Sequence, residues 1–406
     1  MKILMLLPEY PVPVVNGGRR RMHAFLSGLS VRHEVTVAAV SEEALDTARF
    51  EEEGSWARHI VLHRPHRGRT ILRSLFSTRP YREVKFNPPA FGALVGRLLE
   101  EEPYDVVWAG FMNTAACLDT ESARAARARH GQLWVLDQHN VDEHFALSSM
   151  RGSALKPSNL VYRLEALKCQ YAQREFYPLF DLLLSVSEED RALTRDCGVP
   201  EQNIMVAPNG VDTGYFAPQE GLAGLEGRPT VAFGGCLEVS MNREAVWWFL
   251  DRCMPLVRRQ VPEALFLVAG SRAWGMDFSG RQEVRLVADP PDIRESYAAA
   301  HVFVVPLHSG GGTKIKALEA MSLSLPVVAT PVGAQGLGVV QGKHMYRESE
   351  PEGFAARVVE LLKNSEAARA MGQRARALVL DKFQWPDIVE GVERRMLEGL
   401  ETRRAW

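Results

Sequence analysis

The fold of this chain is decided by residues 302–330, which read VFVVPLHSGGGTKIKALEAMSLSLPVVAT. The first four residues are apolar and mostly β-branched, a pattern that predicts a buried parallel strand. Residues 309–312 predict a glycine loop, and the apolar spacing over 313–322 predicts a helix that ends before a proline. A second strand is predicted from Val327. The order of strand, glycine loop, helix and strand is typical of a doubly wound α/β sheet.

The glycine loop is a candidate site for an anion. Consecutive glycines before a helix present backbone N–H groups and the positive end of the helix dipole at one place, which suits phosphate. Lys314 and Lys316 add positive charge beside the loop. Glu319 falls at the edge of the buried face, where a carboxylate is costly without a partner. The alternative is a plain turn followed by a surface pair between Lys316 and Glu319.

The composition indicates a soluble globular protein with room for two domains. Of the 406 residues, 46% are hydrophobic and 24% are charged. A formal net charge of −2 argues against a nucleic-acid partner. The five cysteines are scattered and form no C-x-x-C pair, so reduced thiols in the cytoplasm are expected, without a disulfide framework or zinc site. The first apolar run is too short for a signal peptide, and no run is long enough to span a bilayer.

The amino-terminal half predicts a sheet of parallel strands. Strands are predicted at residues 3–7, 34–40, 59–63, 105–109, 133–137 and 181–186, and most of them are unbroken apolar runs. Such runs are typical of strands that helices cover on both faces. Gly17 and Gly18 stand before a predicted helix, but the three-glycine dinucleotide fingerprint is missing, which argues against a dehydrogenase.

The carboxyl-terminal half repeats this architecture. Strands are predicted at residues 230–233, 265–269, 284–287, 302–305 and 327–329. We therefore expect a first Rossmann-like domain over 1–207 and a second over 208–382. A last amphipathic helix over 383–406 is expected to cross back to the first domain.

Two further segments are candidates for binding. Polar residues gather over 137–142, at the carboxyl end of a predicted strand, where open α/β sheets bind ligands. We favour a site role for His139 in this segment over a purely structural one. Residues 64–85 interleave basic and apolar side chains. This segment is either a contact with an anionic membrane surface or a solvated helix and loop.

Taken together, the motifs resemble those of the retaining glycosyltransferases of family 4, which have the two-domain GT-B fold. The landmarks run along nearly the whole chain: Asn16-Gly17-Gly18, Asp137-Gln138-His139-Asn140, Pro208-Asn209-Gly210-Val211-Asp212, Val268-Ala269-Gly270, Tyr297-Ala298-Ala299-Ala300, Gly310-Gly311-Gly312-Thr313-Lys314, Leu318-Glu319-Ala320-Met321 and Pro326-Val327-Val328-Ala329-Thr330. The resemblance implies two doubly wound domains that face a cleft. It also implies transfer of a sugar, with retention, from a UDP- or GDP-sugar to an acceptor hydroxyl.

The resemblance also assigns roles by position. Glu319 is expected to hold the nucleotide ribose, and Gly312, Thr313 and Lys314 are expected to hold the diphosphate. Gly17 and Gly18 correspond to the family's glycine loop near the phosphates. His139 corresponds to the histidine near the anomeric carbon of the sugar.

Two departures from the family pattern concern the donor. Gly311 stands where the family often has a glutamate that contacts the sugar, and the usual arginine–lysine clamp on the diphosphate is absent as a pair. We expect Arg243 or Lys314 to take the place of the clamp.

The expected setting is assembly of a surface polysaccharide, an exopolysaccharide or a glycolipid. The acceptor is then a sugar or a lipid-linked saccharide, and the protein is cytoplasmic, with a peripheral membrane position if residues 64–85 bind lipid. No D-x-D pair stands at a strand end, so neither a metal nor any other cofactor is expected. The alternatives are a non-catalytic scaffold of the same fold and an epimerase or phosphorylase.

Overall fold

The computed structural model describes residues 1–12, 14, 16–41, 57–63, 74, 76–86, 88–148, 157–218 and 225–404. These residues form two compact units. The first comprises residues 1–208 together with 388–406, and the second comprises residues 209–387. Part of the basic segment, residues 64–73 and 75, lies outside the described residues, and so do residues 219–224.

None of the helices in the described ranges combines the length and the apolar character that a bilayer span requires.

The first unit is built on a parallel sheet of seven strands in the order β3-β2-β1-β4-β5-β6-β7. The strands are β1 (Lys2–Leu7), β2 (Glu34–Ser41), β3 (Ala57–His63), β4 (Val106–Gly110), β5 (Leu133–Asp137), β6 (Leu182–Ser185) and β7 (Ile204–Val206). The first six coincide with the predicted apolar runs to within two residues at each end. The short edge strand β7 was not expected.

Helices connect these strands. They are α1 (Gly17–Ser30), α2 (Tyr81–Phe86), α3 (Pro89–Glu101), α4 (Met112–Ala115), α5 (Glu121–His130), α6 (Asp142–Ser148), α7 (Pro157–Phe176) and α8 (Glu188–Asp196). The Asn16 side chain accepts the Arg19 backbone N–H at 2.8 Å and so caps α1. Gly17 and Gly18 are therefore the first helical residues rather than a loop before the helix.

The second unit is built on a parallel sheet of six strands in the order β10-β9-β8-β11-β12-β13. The strands are β8 (Thr230–Gly234), β9 (Leu265–Gly270), β10 (Val284–Ala288), β11 (Val302–Val305), β12 (Val327–Ala329) and β13 (Tyr346–Arg347). The helices are α9 (Ser240–Trp248), α10 (Met254–Gln260), α11 (Ile293–Ala298), α12 (Ile315–Ser322), α13 (Pro351–Lys363) and α14 (Ser365–Lys382), with a π-helical turn over Phe249–Cys253 between α9 and α10.

The strand order of the second unit positions the glycine loop. Strands β8 and β11 are neighbours, with Val302 opposite Val231 and Phe303 opposite Ala232. The carboxyl ends of neighbouring parallel strands lie at one edge of a sheet, so the residues that follow β8 come close to those that follow β11. Helix α12 begins at Ile315, two residues later than predicted, which leaves the preceding two residues in the loop.

The last helix, α15 (Trp385–Arg404), begins in the second unit and enters the first unit at Ile388. A Cβ atom at Gly28 would lie 2.9 Å from the Val389 side chain, so a glycine allows α1 and α15 to pack closely. The Glu393 carboxylate lies 2.8 Å from His33 Nε2, and Arg403 pairs with Asp181. These contacts fix the end of the chain on the first unit.

Candidate functional site

The glycine loop of the second unit has a backbone that only glycine adopts without strain. Gly310 has a φ angle of +112° and Gly312 a φ angle of +66°. A Cβ atom at Gly310 would also lie 2.9 Å from the sulfur of Met241. The positive φ angles therefore favour glycine at both positions. At Gly310 the nearby Met241 side chain also leaves no room for a larger residue.

Lys314 stabilises the conformation of this glycine loop. Its Nζ atom donates hydrogen bonds to the carbonyl oxygens of Gly311 at 2.8 Å and Gly312 at 2.7 Å, and the side chain is buried. Three carbonyl oxygens lie within 3.4 Å of the ammonium group when that of Gly310 is included. The carbonyl groups are thereby directed to the lysine. Lys314 thus holds the shape of the loop as well as adding charge to it.

Glu319 is buried on the inner side of α12. Its Oε2 atom accepts a hydrogen bond from the Tyr297 hydroxyl at 3.3 Å. That hydroxyl in turn lies over Gly234 at the end of β8, where a Cβ atom would be only 2.1 Å from it. Tyr297 orients the carboxylate, and Gly234 makes space for Tyr297. Thr313, also predicted as a site residue, is buried at the start of the same segment.

Lys316 points across to the turn that follows β8. Its Nζ atom donates to Asn242 Oδ1 at 2.6 Å and lies 4.3 Å from the centre of the Phe233 ring. A Cβ atom at Gly235, whose φ angle is +145°, would lie 2.8 Å from the same nitrogen. The surface pair between Lys316 and Glu319 that the sequence left open is replaced by these contacts.

Burial lowers the pKa of Lys316 to about 7. The Lys314 charge lowers the pKa further, whereas the Glu319 carboxylate and Cys236 act in the opposite direction. With a pKa near neutrality, the ammonium group of Lys316 is favoured in its charged form by an anion bound next to it.

Arg243 lies on α9 and contacts the loop that precedes this helix. Its Nη1 atom donates to the carbonyl oxygens of Leu237 at 3.2 Å and Glu238 at 2.9 Å. The guanidinium group of Arg243, like the ammonium group of Lys314, therefore supports its own loop. The sequence analysis placed Lys316 beside the glycine loop without giving it a role in the clamp, and the structure places its ammonium group next to Gly235.

In the first unit, the structure brings Gly18 and His139 together. A Cβ atom at Gly18 would lie 3.7 Å from His139 Nδ1 and 3.2 Å from the Phe111 ring. Phe111 follows β4 and His139 follows β5, and the two rings stack with centroids 3.6 Å apart. Phe111 has a φ angle of +68°, which is strained for a residue with a side chain. A strained residue at the carboxyl end of a central strand is typical of a functional site.

His139 lies next to a buried ion pair between Arg21 and Asp137. The Arg21 guanidinium donates to Asp137 Oδ1 at 2.8 and 2.7 Å, and its Nη1 atom donates to the carbonyl oxygen of Ala207 at 2.8 Å. His139 Nε2 lies 3.3 Å from Asp137 Oδ2. Burial by itself would raise the pKa of Asp137, but Arg21 and His139 outweigh it and hold the pKa at about 2. The carboxylate is therefore ionised at neutral pH.

Burial lowers the pKa of His139, although Asp137 acts against this effect. The imidazole is thus neutral at neutral pH and can accept a proton or a hydrogen bond at Nδ1, the ring atom beside Gly18. The sequence analysis named His139 but not Arg21 or Phe111. No local pattern distinguishes Arg21 from the two arginines before it, because its partner lies 116 residues away.

Within the ranges that the structure describes, no group of three or more histidine, cysteine, aspartate or glutamate side chains is arranged to hold a metal ion.

Two family models match the chain. One, described as Glycosyltransferase Family 4, matches residues 15–215, and the other, Glycosyl transferases group 1, matches residues 228–364. The first match contains His139 and the second contains Glu319 together with the glycine loop. The two matches thus divide the candidate site residues in the same way as the two compact units do.

Two relatives in sequence differ in how much of the chain they match. An uncharacterized 44.6 kDa protein in the cps region of Klebsiella pneumoniae is 22% identical over 399 residues, which is 94% of this chain and 96% of that protein. A D-inositol 3-phosphate glycosyltransferase of Segniliparus rotundus is 31% identical over 221 residues, which is 49% of this chain and 48% of that protein.

Solved structures share the fold over nearly the full length. HepE of Anabaena in complex with UDP-glucose has a TM-score of 0.66 at 16% identity and covers 99% of this chain and 100% of its own. Sucrose-phosphate synthase of Thermosynechococcus elongatus has a TM-score of 0.72 at 14% identity, covering 97% of this chain and 98% of its own. The predicted fold of two Rossmann-like units is confirmed.

Proposed function

We propose a donor, an acceptor class and a set of site residues for this chain, which belongs to the glycosyltransferases of the family 4 type. The chain transfers a sugar from a nucleotide-diphosphate sugar, a UDP- or GDP-sugar, to an acceptor hydroxyl with retention of configuration. The observation that carries the proposal is the arrangement around α12. A glycine loop without side chains, the half-buried Lys316 and an oriented buried carboxylate follow one another within ten residues.

The donor binds to the second unit. Glu319, oriented by Tyr297, accepts hydrogen bonds from the two ribose hydroxyls, a task for which a carboxylate is well suited. The diphosphate lies against the backbone of Gly311, Gly312 and Thr313, at the amino-terminal end of α12. Gly311, which has no side chain, leaves room for the donor sugar where the family often has a glutamate.

The cations of the second unit stabilise the leaving diphosphate. Lys316 and the positive end of the α12 dipole act on the charge that develops as the glycosidic bond breaks. Lys314 and Arg243 hold the two loops that border this position. We propose that these groups and the backbone amides suffice, so that transfer proceeds without a metal or other cofactor. Transfer that persists after dialysis against a chelator supports this, and restoration of lost activity by a divalent cation contradicts it.

The first unit binds the acceptor. His139 Nδ1 lies beside Gly18, and Gly17 precedes Gly18 in the same helical turn. A neutral imidazole held by Asp137 accepts a hydrogen bond from the acceptor hydroxyl or from a donor-sugar hydroxyl, and so orients the reacting groups. His139→Ala should therefore lower the rate of transfer more than it lowers the affinity for the nucleotide.

We further propose that the chain acts in polysaccharide assembly in the cytoplasm, on a sugar or lipid-linked saccharide at the membrane surface. The cps-region relative of Klebsiella pneumoniae supports this setting. The membrane contact predicted over 64–85 has less support. Arg79 pairs with Glu175, and Arg82 lies 3.8 Å from Asp142, so these cations serve carboxylates of the protein itself.

Titration calorimetry with UDP-glucose, GDP-mannose and the free nucleotides tests the donor site. We expect saturable binding of one nucleotide class and loss of that binding in Glu319→Ala. The control is Glu366→Ala, which changes an exposed glutamate of the same unit. If no nucleotide sugar binds, or if Glu319→Ala binds as the wild type does, the donor-site assignment is wrong.

The fate of the bound donor tests the reaction class. Turnover with an extract of saccharide acceptors indicates a transferase, and an altered nucleotide sugar without any acceptor indicates an epimerase. Donor binding with no turnover under either condition indicates a non-catalytic scaffold.

A further inference from the structure

Helix α7 of the first unit carries an apolar stripe on its exposed face. Leu160, Leu164, Leu167 and Tyr171 recur at helical spacing, and their exposed fractions are 52%, 48%, 63% and 64%. Side chains three and four residues apart lie one above the other on a helix. With a rise of about 1.5 Å per residue, the stripe is roughly 16 Å long.

The stripe is not the face by which α7 packs on its own unit. That face carries a separate set of buried residues, which are Ala166, Cys169, Ala172, Gln173 and Phe176. A single exposed leucine is ordinary in a globular protein, but four apolar side chains in one row are a mark of an interaction surface. Val161, also more than half exposed, widens the row.

A second exposed aromatic residue lies on the segment that packs against α7. Lys168 Nζ donates to the carbonyl oxygen of Ser74 at 2.8 Å, and the Tyr81 N–H donates to Glu165 Oε1 at 2.5 Å. Phe76 is located between these two contacts in sequence and is 87% exposed. The exposed Phe76 ring therefore lies on a segment that contacts α7 on both sides of it in sequence.

The charges around the stripe are positive. Arg163 and Arg174 are exposed on α7, whereas Lys168 is half-buried and its ammonium group donates to the Ser74 carbonyl oxygen. The acidic residues of the helix have partners within the protein, because Glu165 accepts the Tyr81 N–H and Glu175 pairs with Arg79. The exposed face of α7 is thus apolar along its middle and basic along its sides.

We propose that this face of α7, together with Phe76, docks on an anionic lipid bilayer. Apolar side chains enter the boundary between headgroups and acyl chains, and Arg163 and Arg174 meet the lipid phosphates. A second copy of the chain fits the face poorly. Helices that paired along the stripe would bring the exposed arginines of one copy, Arg163 and Arg174, close to those of the other copy. This inference goes beyond the proposed reaction and does not depend on it, since lipid binding requires no turnover.

Flotation of the full chain with lipid vesicles tests the proposal. We expect the protein to float with vesicles that contain phosphatidylglycerol and to remain below vesicles of pure phosphatidylcholine. Leu164→Ser combined with Leu167→Ser should reduce the bound fraction at least about tenfold, because two side chains lose their burial in lipid. The matched control, Val340→Ser combined with Trp274→Ser, changes two exposed apolar residues of the second unit and should float as the wild type does.

The contribution of charge is tested separately. Arg163→Gln combined with Arg174→Gln should weaken flotation with anionic vesicles, and added salt should weaken flotation of the wild type. Circular dichroism and the thermal shift with nucleotide sugar should be unchanged in each variant, because the altered side chains are exposed. Retained transfer to a water-soluble acceptor in the leucine variant separates loss of docking from loss of the reaction.

Three results would overturn the proposal. One is a wild-type protein that does not float with anionic vesicles, and another is a leucine variant that floats as well as the wild type. The third is a wild-type dimer in sedimentation velocity that the leucine variant converts to monomer, since a second copy of the chain would then cover the stripe.

Discussion

Lys316→Met should make the free protein more stable and its donor binding weaker. The ordinary pKa of a lysine is 10.5, and burial lowers that of Lys316 to about 7. A charged Lys316 is therefore a cost to the folded state. The unfolded chain holds more protons than the folded one between pH 7 and pH 10.5, so this cost is fully present below pH 7 and disappears towards pH 10.5.

The upper limit of the cost follows from the two pKa values. Their difference corresponds to about 5 kcal/mol, since each pH unit is worth about 1.4 kcal/mol. Partial exposure and the loss of the hydrogen bond to Asn242 reduce the gain, so we expect about 1–3 kcal/mol at pH 6.5. For a unit of this size, a gain of about 1–3 kcal/mol raises Tm by about 2–12 °C in a thermal scan without ligand.

Donor binding should change in the opposite direction. Only the charged form of Lys316 attracts the diphosphate, and a diphosphate ester has no proton of its own to lose near neutrality. If binding requires the charged form, affinity should be about 30-fold weaker at pH 8.5 than at pH 6, as the charged fraction falls above a pKa of 7. The variant should bind weakly at both pH values.

Three control proteins sharpen the comparison. Lys343→Met removes an exposed lysine of the same unit and should change neither Tm nor the pH profile. Cys236→Ser and Glu319→Gln remove two titratable groups that raise the pKa of Lys316, so each should keep a pH dependence whose midpoint lies at lower pH than in the wild type. A Lys316→Met protein that melts lower than the wild type, or that keeps the wild-type pH profile of donor affinity, would refute the reasoning.

The remaining predictions concern single side chains of both units. Glu319→Gln should weaken donor binding about 10–100-fold in calorimetry, and Tyr297→Phe by a smaller factor, because the carboxylate stays and only its orientation is lost. Equal losses of donor affinity in the two variants would contradict this order. Gly310→Ala should destabilise the protein by about 1–3 kcal/mol in urea unfolding because its φ angle is +112°, whereas Gly92→Ala, in a helix with open space around it, should not destabilise it. Arg21→Met should cost about 3–5 kcal/mol because it leaves a buried carboxylate unpaired, and a loss below 1 kcal/mol would show that the pair is dispensable.

The strands and the glycine loop could be predicted from the sequence because their signals are local. A run such as residues 302–305 is buried on both faces of a parallel sheet and is therefore apolar throughout. Gly310 and Gly312 mark backbone angles that other residues avoid. The ends of the helices were predicted less exactly than their positions. The Asn16 side chain caps α1, so this helix begins two residues earlier than the sequence predicts.

What the sequence by itself determined about this protein is thus the type and order of its elements, the repeated architecture and the family. The tertiary structure alone decided which charges serve the site. Lys316 reaches Asn242, 74 residues away, and Arg21 reaches Asp137, 116 residues away. Such pairs depend on which strands become neighbours, and strand order is set by packing across the whole sheet. For the same reason, only the folded unit shows that α7 buries Ala166, Cys169 and Ala172 and leaves its leucines exposed.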